Sequence, residues 1–287
     1  MRKLSIIAVL FALLLCAHLT APKITAAQEP LAFWIHPYLP ATELIKRFTP
    51  LARYLEDKLS RPVTIKIEKS YQAHINRVGN DEFDIAFMGP SSYVNMSGAY
   101  GKKPLLARLA VRGKPVFFGM IIVRTDSPIN NLKDLRGKSF AFGDPNSTMS
   151  HLVPRYMLKK AGVSVNDLKK YEFLHTHHNV ALGVLGGYYD AGGVKEEVFR
   201  QYRERGLRML AKSPPIAEHP FVARTTLPKT LIKSLRKAFL ELNGDDRGPA
   251  VLTSMKKSVT GMGPARNEDY NTLRSVMRIG TKPGTDK

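Results

Sequence analysis

Residues 139–151 constrain this chain more than any other stretch. Ser139-Phe140-Ala141-Phe142 reads as a short apolar strand and Gly143-Asp144-Pro145-Asn146 as a tight turn. Ser147-Thr148-Met149-Ser150 then sets hydroxyls at the mouth of a helix expected over 152–161. The first turn of a helix carries unpaired backbone N–H groups and the positive end of the helix dipole, which together suit an anion. Ser147 and Thr148 would add hydroxyl donors to those amides. The plainer alternative is that Ser147 or Ser150 only caps the helix.

Strand and helix alternate along the rest of the chain. A strand at Leu31–Ile35 leads through His36-Pro37-Tyr38-Leu39-Pro40 to a helix over 42–59, where Leu44, Ile45, Phe48, Leu51, Leu55 and Leu59 recur at helical spacing. Strands are expected at Val63–Ile67, 83–88, Leu105–Val111 and 117–123, with helices at 73–78 and 92–100. A connector and short helix at 127–135 feed the second block. That block adds strands at 171–174, 191–194 and 208–211 and a helix at 179–185. Ser213-Pro214-Pro215 marks a break or crossover, helices at 229–242 and 267–277 follow, and 281–287 reads as a frayed tail. Two such blocks predict an α/β protein with mainly parallel sheets and ligands at the strand carboxyl ends.

Arg2 and Lys3 precede an apolar run over 4–19, and Thr25-Ala26-Ala27 supplies small residues for cleavage, so 1–27 reads as a signal peptide. Cys16 opens a lipoprotein alternative, but Leu15 stands where a small residue is needed. The chain has no other cysteine, so an exported form has no disulfide, thiol chemistry or Cys-based metal site. Removing Arg2, Lys3 and Lys23 with the leader takes the net charge from +20 to +17. So basic a chain suits nucleic acid, an anionic membrane or a small anion. No nucleic-acid motif is present and export argues against that partner, while the general basic field still favours anions.

A second strand-to-helix turn, Gly89-Pro90-Ser91-Ser92-Tyr93, repeats the pattern in the first block. Two such turns would let two lobes grip an anion from opposite sides, with Ser92 either a donor or an N-cap. His175, His177 and His178 lack zinc-site spacing, and His177 is the one expected to donate to an oxyanion. Glu196-Glu197 reads as an exposed helix start unless one of the two turns into the cleft. No nucleophile elbow, phosphate loop or dinucleotide fingerprint occurs, although Ser147 and His177 could be drawn as a hydrolase pair.

Asp144-Pro145-Asn146-Ser147-Thr148, followed by Leu152-Val153-Pro154, resembles the signature of periplasmic phosphonate-binding proteins of the PhnD type. These are receptors of ABC importers for phosphonate, phosphite and phosphate. The resemblance extends over nearly the whole exported chain, through Tyr71, Asp84-Ile85-Ala86, the stretch Ser127-Pro128-Ile129-Asn130-Asn131-Leu132, His177 ahead of Ala181-Leu182, Asp190-Ala191 and Lys212-Ser213-Pro214. It implies a type II periplasmic binding fold, two α/β lobes joined by crossover strands. Lobe 1 would span 28–123 and 216–287, and lobe 2 would span 124–215. By position it implies oxyanion ligands at Tyr71, Ser147, Thr148 and His177. A further family hydroxyl falls on Met149, with Ser150 beside it, and a family tyrosine falls on Phe117. Two acids that bind a ligand amine in some members fall on Glu197 and His219, so one acid is lost and the grip on an aminoalkyl group should weaken.

The resemblance thus implies a non-enzymatic periplasmic receptor that hands a small phosphorus oxyanion to an ABC permease in the inner membrane. It implies no cofactor, metal or nucleic acid. A receptor feeding a sensor, or a Ser147/His177 hydrolase, are the alternatives. Pro154 is awkward, because inside a helix it deletes a hydrogen bond, and it predicts a kink or a later helix start.

Overall fold

The computed structural model describes residues 29–281; the expected signal segment with Cys16, and the tail beyond 281, lie outside the described residues. The chain opens with β1 (Leu31–Ile35), α1 (Ala41–Leu59), β2 (Val63–Ile67), α2 (Tyr71–Gly79), β3 (Ile85–Phe87) and α3 (Pro90–Tyr100). Strand β1 lies between β2 and β3 and runs parallel to both. Alternate side chains Leu31, Phe33 and Ile35 are fully buried, and they share a core with Leu44, Phe48, Leu51 and Leu55 of α1. Burial of each such side chain is worth roughly 1.5–3 kcal/mol, so this face holds α1 against the sheet.

The chain then forms β4 (Leu105–Val111), β5 (Val116–Phe117), β6 (Gly119–Arg124), β7 (Ser139–Phe142), α4 (Val153–Lys160), β8 (Lys170–Phe173), α5 (His177–Leu185), β9 (Ala191–Lys195), α6 (Glu196–Tyr202) and β10 (Leu207–Lys212). It finishes with β11 (Ile216–Ala217), β12 (Pro220–Ala223), α7 (Lys229–Glu241), α8 (Gly248–Met255), β13 (Val259–Gly263) and α9 (Asn271–Thr281). One sheet has the order β13-β4-β12-β3-β1-β2 and the other β10-β6-β9-β7-β8, with β5 and β11 paired antiparallel between them.

The parallel strands β2–β1–β3 form half of the six-stranded sheet, and β8–β7–β9 form three of the five strands of the other. The remaining pairs are antiparallel, so each sheet is mixed rather than mainly parallel. The cause is the crossing itself: β6 and β12 enter their sheets just after β5 and β11 and run away from the junction. Strand β6 pairs with β9 and β10, so residues 119–124 join the second sheet rather than the first. The apolar run over 116–123 hid the break at Phe118. Helix α8 and strands β12 and β13 were not read from the sequence, because each is short and contains Gly or Pro. Tyr93 of α3, Tyr270 in the turn just before α9, and Leu273 and Val276 of α9 share one buried cluster with Val153 and Met157 of α4. The C-terminal helix thereby ties the two sheets together.

Candidate functional site

Each parallel strand delivers its carboxyl end to one cleft between the sheets, as expected for ligand sites in α/β layers. From β1 comes His36, and the loop after β2 brings Tyr71. The segment after β3 brings Gly89, Pro90 and Ser91. On the facing side, β7 is followed by Gly143–Thr148, β8 by His177, and β9 by Lys195–Glu197.

The turn after β7 is tighter than a plain helix start. Asn146 N–H donates to Asp144 Oδ1 at 2.7 Å and Ser147 N–H to the Asp144 carbonyl at 2.9 Å. Thr148–Leu152 then forms a π-helical turn, and the α-helix begins only at Val153. In this widened turn His151 N–H and Leu152 N–H both reach the Ser147 carbonyl, at 3.2 and 3.1 Å. Pro154 thus lies in the first turn of α4, where its missing N–H removes no intrahelical bond. The awkward proline and the helix expected over 152–161 are reconciled by a later start. Two glycines let the turn approach the sheet: a Cβ at Gly143 would lie 2.4 Å from Ser150 Oγ, and one at Gly193 would lie 2.5 Å from Pro154 Cγ.

Capping and anion binding turn out to be compatible in Ser147. Its Oγ accepts the Ser150 N–H at 3.2 Å, which leaves its own proton free to donate. Thr148 Oγ1 donates to Ser91 Oγ at 3.0 Å, and Ser91 Oγ donates to the Asn146 carbonyl at 3.1 Å. These bonds join the two expected turns across the cleft. Both hydroxyls can rotate onto an oxyanion. Tyr71 packs edge-on against His36, ring centroids 4.0 Å apart, and burial together with nearby Asp144 raises its pKa, so its OH remains a donor. His177 Nδ1 accepts the Lys195 N–H at 3.1 Å. Burial, then Lys195, His178 and Lys256, lower its pKa to about 3. The ring is therefore neutral with its proton on Nε2, a fixed donor.

Five expected residues have other work. Ser150 is fully buried and donates to the Gly193 carbonyl, so it cannot replace the donor lost at Met149. Tyr93 is fully buried against Tyr270, and its OH donates to Asn267 Oδ1 at 3.1 Å, away from the cleft. Ser92 is buried too, and the bonds across the cleft belong to Ser91, one helical position earlier. Glu197 is not a free helix-start acid: its Oε2 lies 2.5 Å from Lys256 Nζ and 3.6 Å from Lys195 Nζ. Burial opposes its charge, but those two ammonium groups outweigh burial and hold its pKa below the ordinary value. His219 sits with its ring stacked on Phe87 at 5.4 Å and 5.6 Å from the Phe117 ring, and its Nδ1–H donates to Glu218 Oε2 at 2.8 Å.

Residues missed in the sequence are His36, Ser91, Lys195, Glu218 and Lys256. His36 is buried, its Nδ1 has no protein partner, and burial with His74 and His219 nearby holds its pKa well below the usual value. Its place at the end of an apolar strand was the available signal. Nothing local marks Lys256, which reaches the cleft from the end of α8. His175 and His178 do not join His177; His178 instead faces Tyr202 at 3.4 Å. Among the described residues Ser147 and His177 share no hydrogen bond, so a nucleophile–base pair is not assembled.

The model of the family described as ABC transporter, phosphonate, periplasmic substrate-binding protein matches residues 33–270. The chain is 29% identical over 217 residues to the phosphonates-binding periplasmic protein of Escherichia coli, a match that takes in 72% of this chain and 64% of that protein. It is 27% identical to the phosphate-import protein PhnD of Mycolicibacterium smegmatis, over 92% of this chain and 91% of that one. Among solved structures, PhnD1 from Prochlorococcus marinus in complex with methylphosphonate superposes with a TM-score of 0.73 at 22% identity, over 87% and 97% of the two chains. The binding protein component of an ABC phosphonate transporter from Pseudomonas aeruginosa gives a TM-score of 0.71 at 21% identity, over 90% and 91%.

Proposed function

The chain belongs to the family of periplasmic substrate-binding proteins of ABC phosphonate transporters, and from that premise we propose that it captures a small phosphorus oxyanion and delivers it to an ABC permease in the inner membrane. Ser147, Thr148, Tyr71 and the Nε2–H of His177 donate to the oxyanion, with Ser91 adding a hydroxyl from the opposite side. The observation that carries this reading is the hydroxyl chain Thr148–Ser91–Asn146, which brings donors from two strand-to-helix turns to one point. Charge-assisted hydrogen bonds of this kind are about twice as strong as neutral ones. We place the hinge at the β5/β11 pair, with lobe 1 comprising 29–117 and 216–281 and lobe 2 comprising 118–215.

Thermal shift with methylphosphonate, phosphite, phosphate and 2-aminoethylphosphonate, read beside phosphorus NMR of the same mixtures, tests the proposal. A receptor gains stability with ligand and leaves it unchanged. Appearance of a new phosphorus species would replace the receptor by a hydrolase.

A further inference from the structure

Next to His177, whose Nδ1 accepts the Lys195 N–H, lies a cavity of about 280 Å³ lined by Lys195 and by Phe117 and Phe118. Six cations line it: Arg112, Lys114, Lys195, Arg200, Lys212 and Lys256. Three carboxylates also line it, so the wall carries a surplus of three positive charges.

None of those carboxylates is available to a ligand. Glu196 is held by Arg200 at 2.7 Å, with Lys212 at 3.9 Å. Glu197 lies between Lys256 and Lys195, and the 3%-exposed Glu218 accepts from His219. A ligand ammonium group placed here would have to displace a protein cation from its acid. An anionic group would not, because Arg112 and Lys114 make no ion pair with any described residue. Lys195 shows the strain of this excess: burial first, then neighbouring Lys256, lower its pKa.

Resting on the receptor reading, we propose that this cavity is a second-anion subsite, and that the ligand is a phosphonate whose substituent ends in a carboxylate. The phosphorus oxygens take the donors of Ser147, Thr148, Tyr71 and His177. The substituent points past Lys195 into the cavity, where its carboxylate meets the unpaired charge of Arg112 and Lys114. Glu197 then acts as a positioning residue, holding Lys195 of β9 and Lys256 at the end of α8 at the junction of the two subsites.

Titration calorimetry of the exported protein with phosphonoacetate, methylphosphonate and 2-aminoethylphosphonate tests this, with R112Q/K114Q as the variant, two exposed side chains whose loss leaves the core untouched. Phosphonoacetate is expected to bind at least about tenfold more tightly than either of the others, and the variant should bring that ratio near one. If 2-aminoethylphosphonate binds as tightly as phosphonoacetate, the subsite assignment fails while the receptor reading stands. A preference for phosphonoacetate that survives in the variant also overturns the assignment to Arg112 and Lys114. Failure of all three phosphonates to bind overturns the subsite assignment, and the receptor reading falls with it only when phosphite and phosphate also fail to bind.

Discussion

Ser147 shows how one hydroxyl serves both local structure and ligand. It accepts from the Ser150 amide, so Ser147→Ala should cost about 1 kcal/mol of stability as a lost cap. Its proton remains for the oxyanion, and a hydrogen bond to a charged group is worth roughly 1.5–3 kcal/mol, so affinity should fall about 10- to 100-fold by calorimetry. Tyr93→Phe is the contrasting substitution: it removes the bond to Asn267, should lower stability by about 1 kcal/mol, and should leave affinity unchanged. A loss of affinity there would return Tyr93 to the site. The placement of Ser147, Thr148 and His177 at strand ends was legible because each follows a strand closely, where sequence alone fixes which end of the layer a residue occupies, whereas Tyr71 entered only through the family resemblance. The choice among Ser91, Ser92 and Tyr93 was not. One residue turns a helical side chain by about 100°, and the neighbouring α9 that decides which face is core is remote in sequence.

At the scale of the element, the π-helical turn is what aims the hydroxyls. Its wide ladder places Pro154 at the start of α4, so Pro154→Ala should change stability by less than about 1 kcal/mol, against the ~3 kcal/mol expected of a proline removed from a helix interior. Gly193→Ala should do far more. Its Cβ would lie 2.5 Å from Pro154 Cγ and 3.2 Å from the Ser150 carbonyl, so the turn must shift. We expect a loss of about 1–3 kcal/mol in denaturant unfolding together with weakened ligand binding. The strands and long helices were readable from hydrophobic period alone. Strands β12 and β13 were not, since a short segment owes its pairing to partners such as β4 rather than to its own pattern.

For the whole molecule, buried neutral histidines set the response to acid. Unfolded histidines take up protons near pH 6.5. Burial lowers His74 to about 4, and His36 is likewise held well below its ordinary value. Between those limits the unfolded state binds more protons, so stability is full above pH 6.5 and falls as pH falls toward 4, by up to ~1.4 kcal/mol per pH unit for each such histidine. A melting temperature that stays level from pH 6.5 to 5 would show that these rings are not buried and neutral. The two-sheet organisation was legible in the sequence, whereas the charge of the cavity was not, because Lys195 and Lys256 meet Glu197 only once the sheets face each other. The central claim is that donors from both halves converge on a phosphorus oxyanion. Titration calorimetry with methylphosphonate, phosphite and phosphate, on the exported protein and on S147A/T148A, tests it most directly. Saturable binding of at least one of the three at one site per chain, weakened at least about tenfold in the double variant, is the predicted result. Absence of binding by all three, or equal affinity in the double variant, would contradict it.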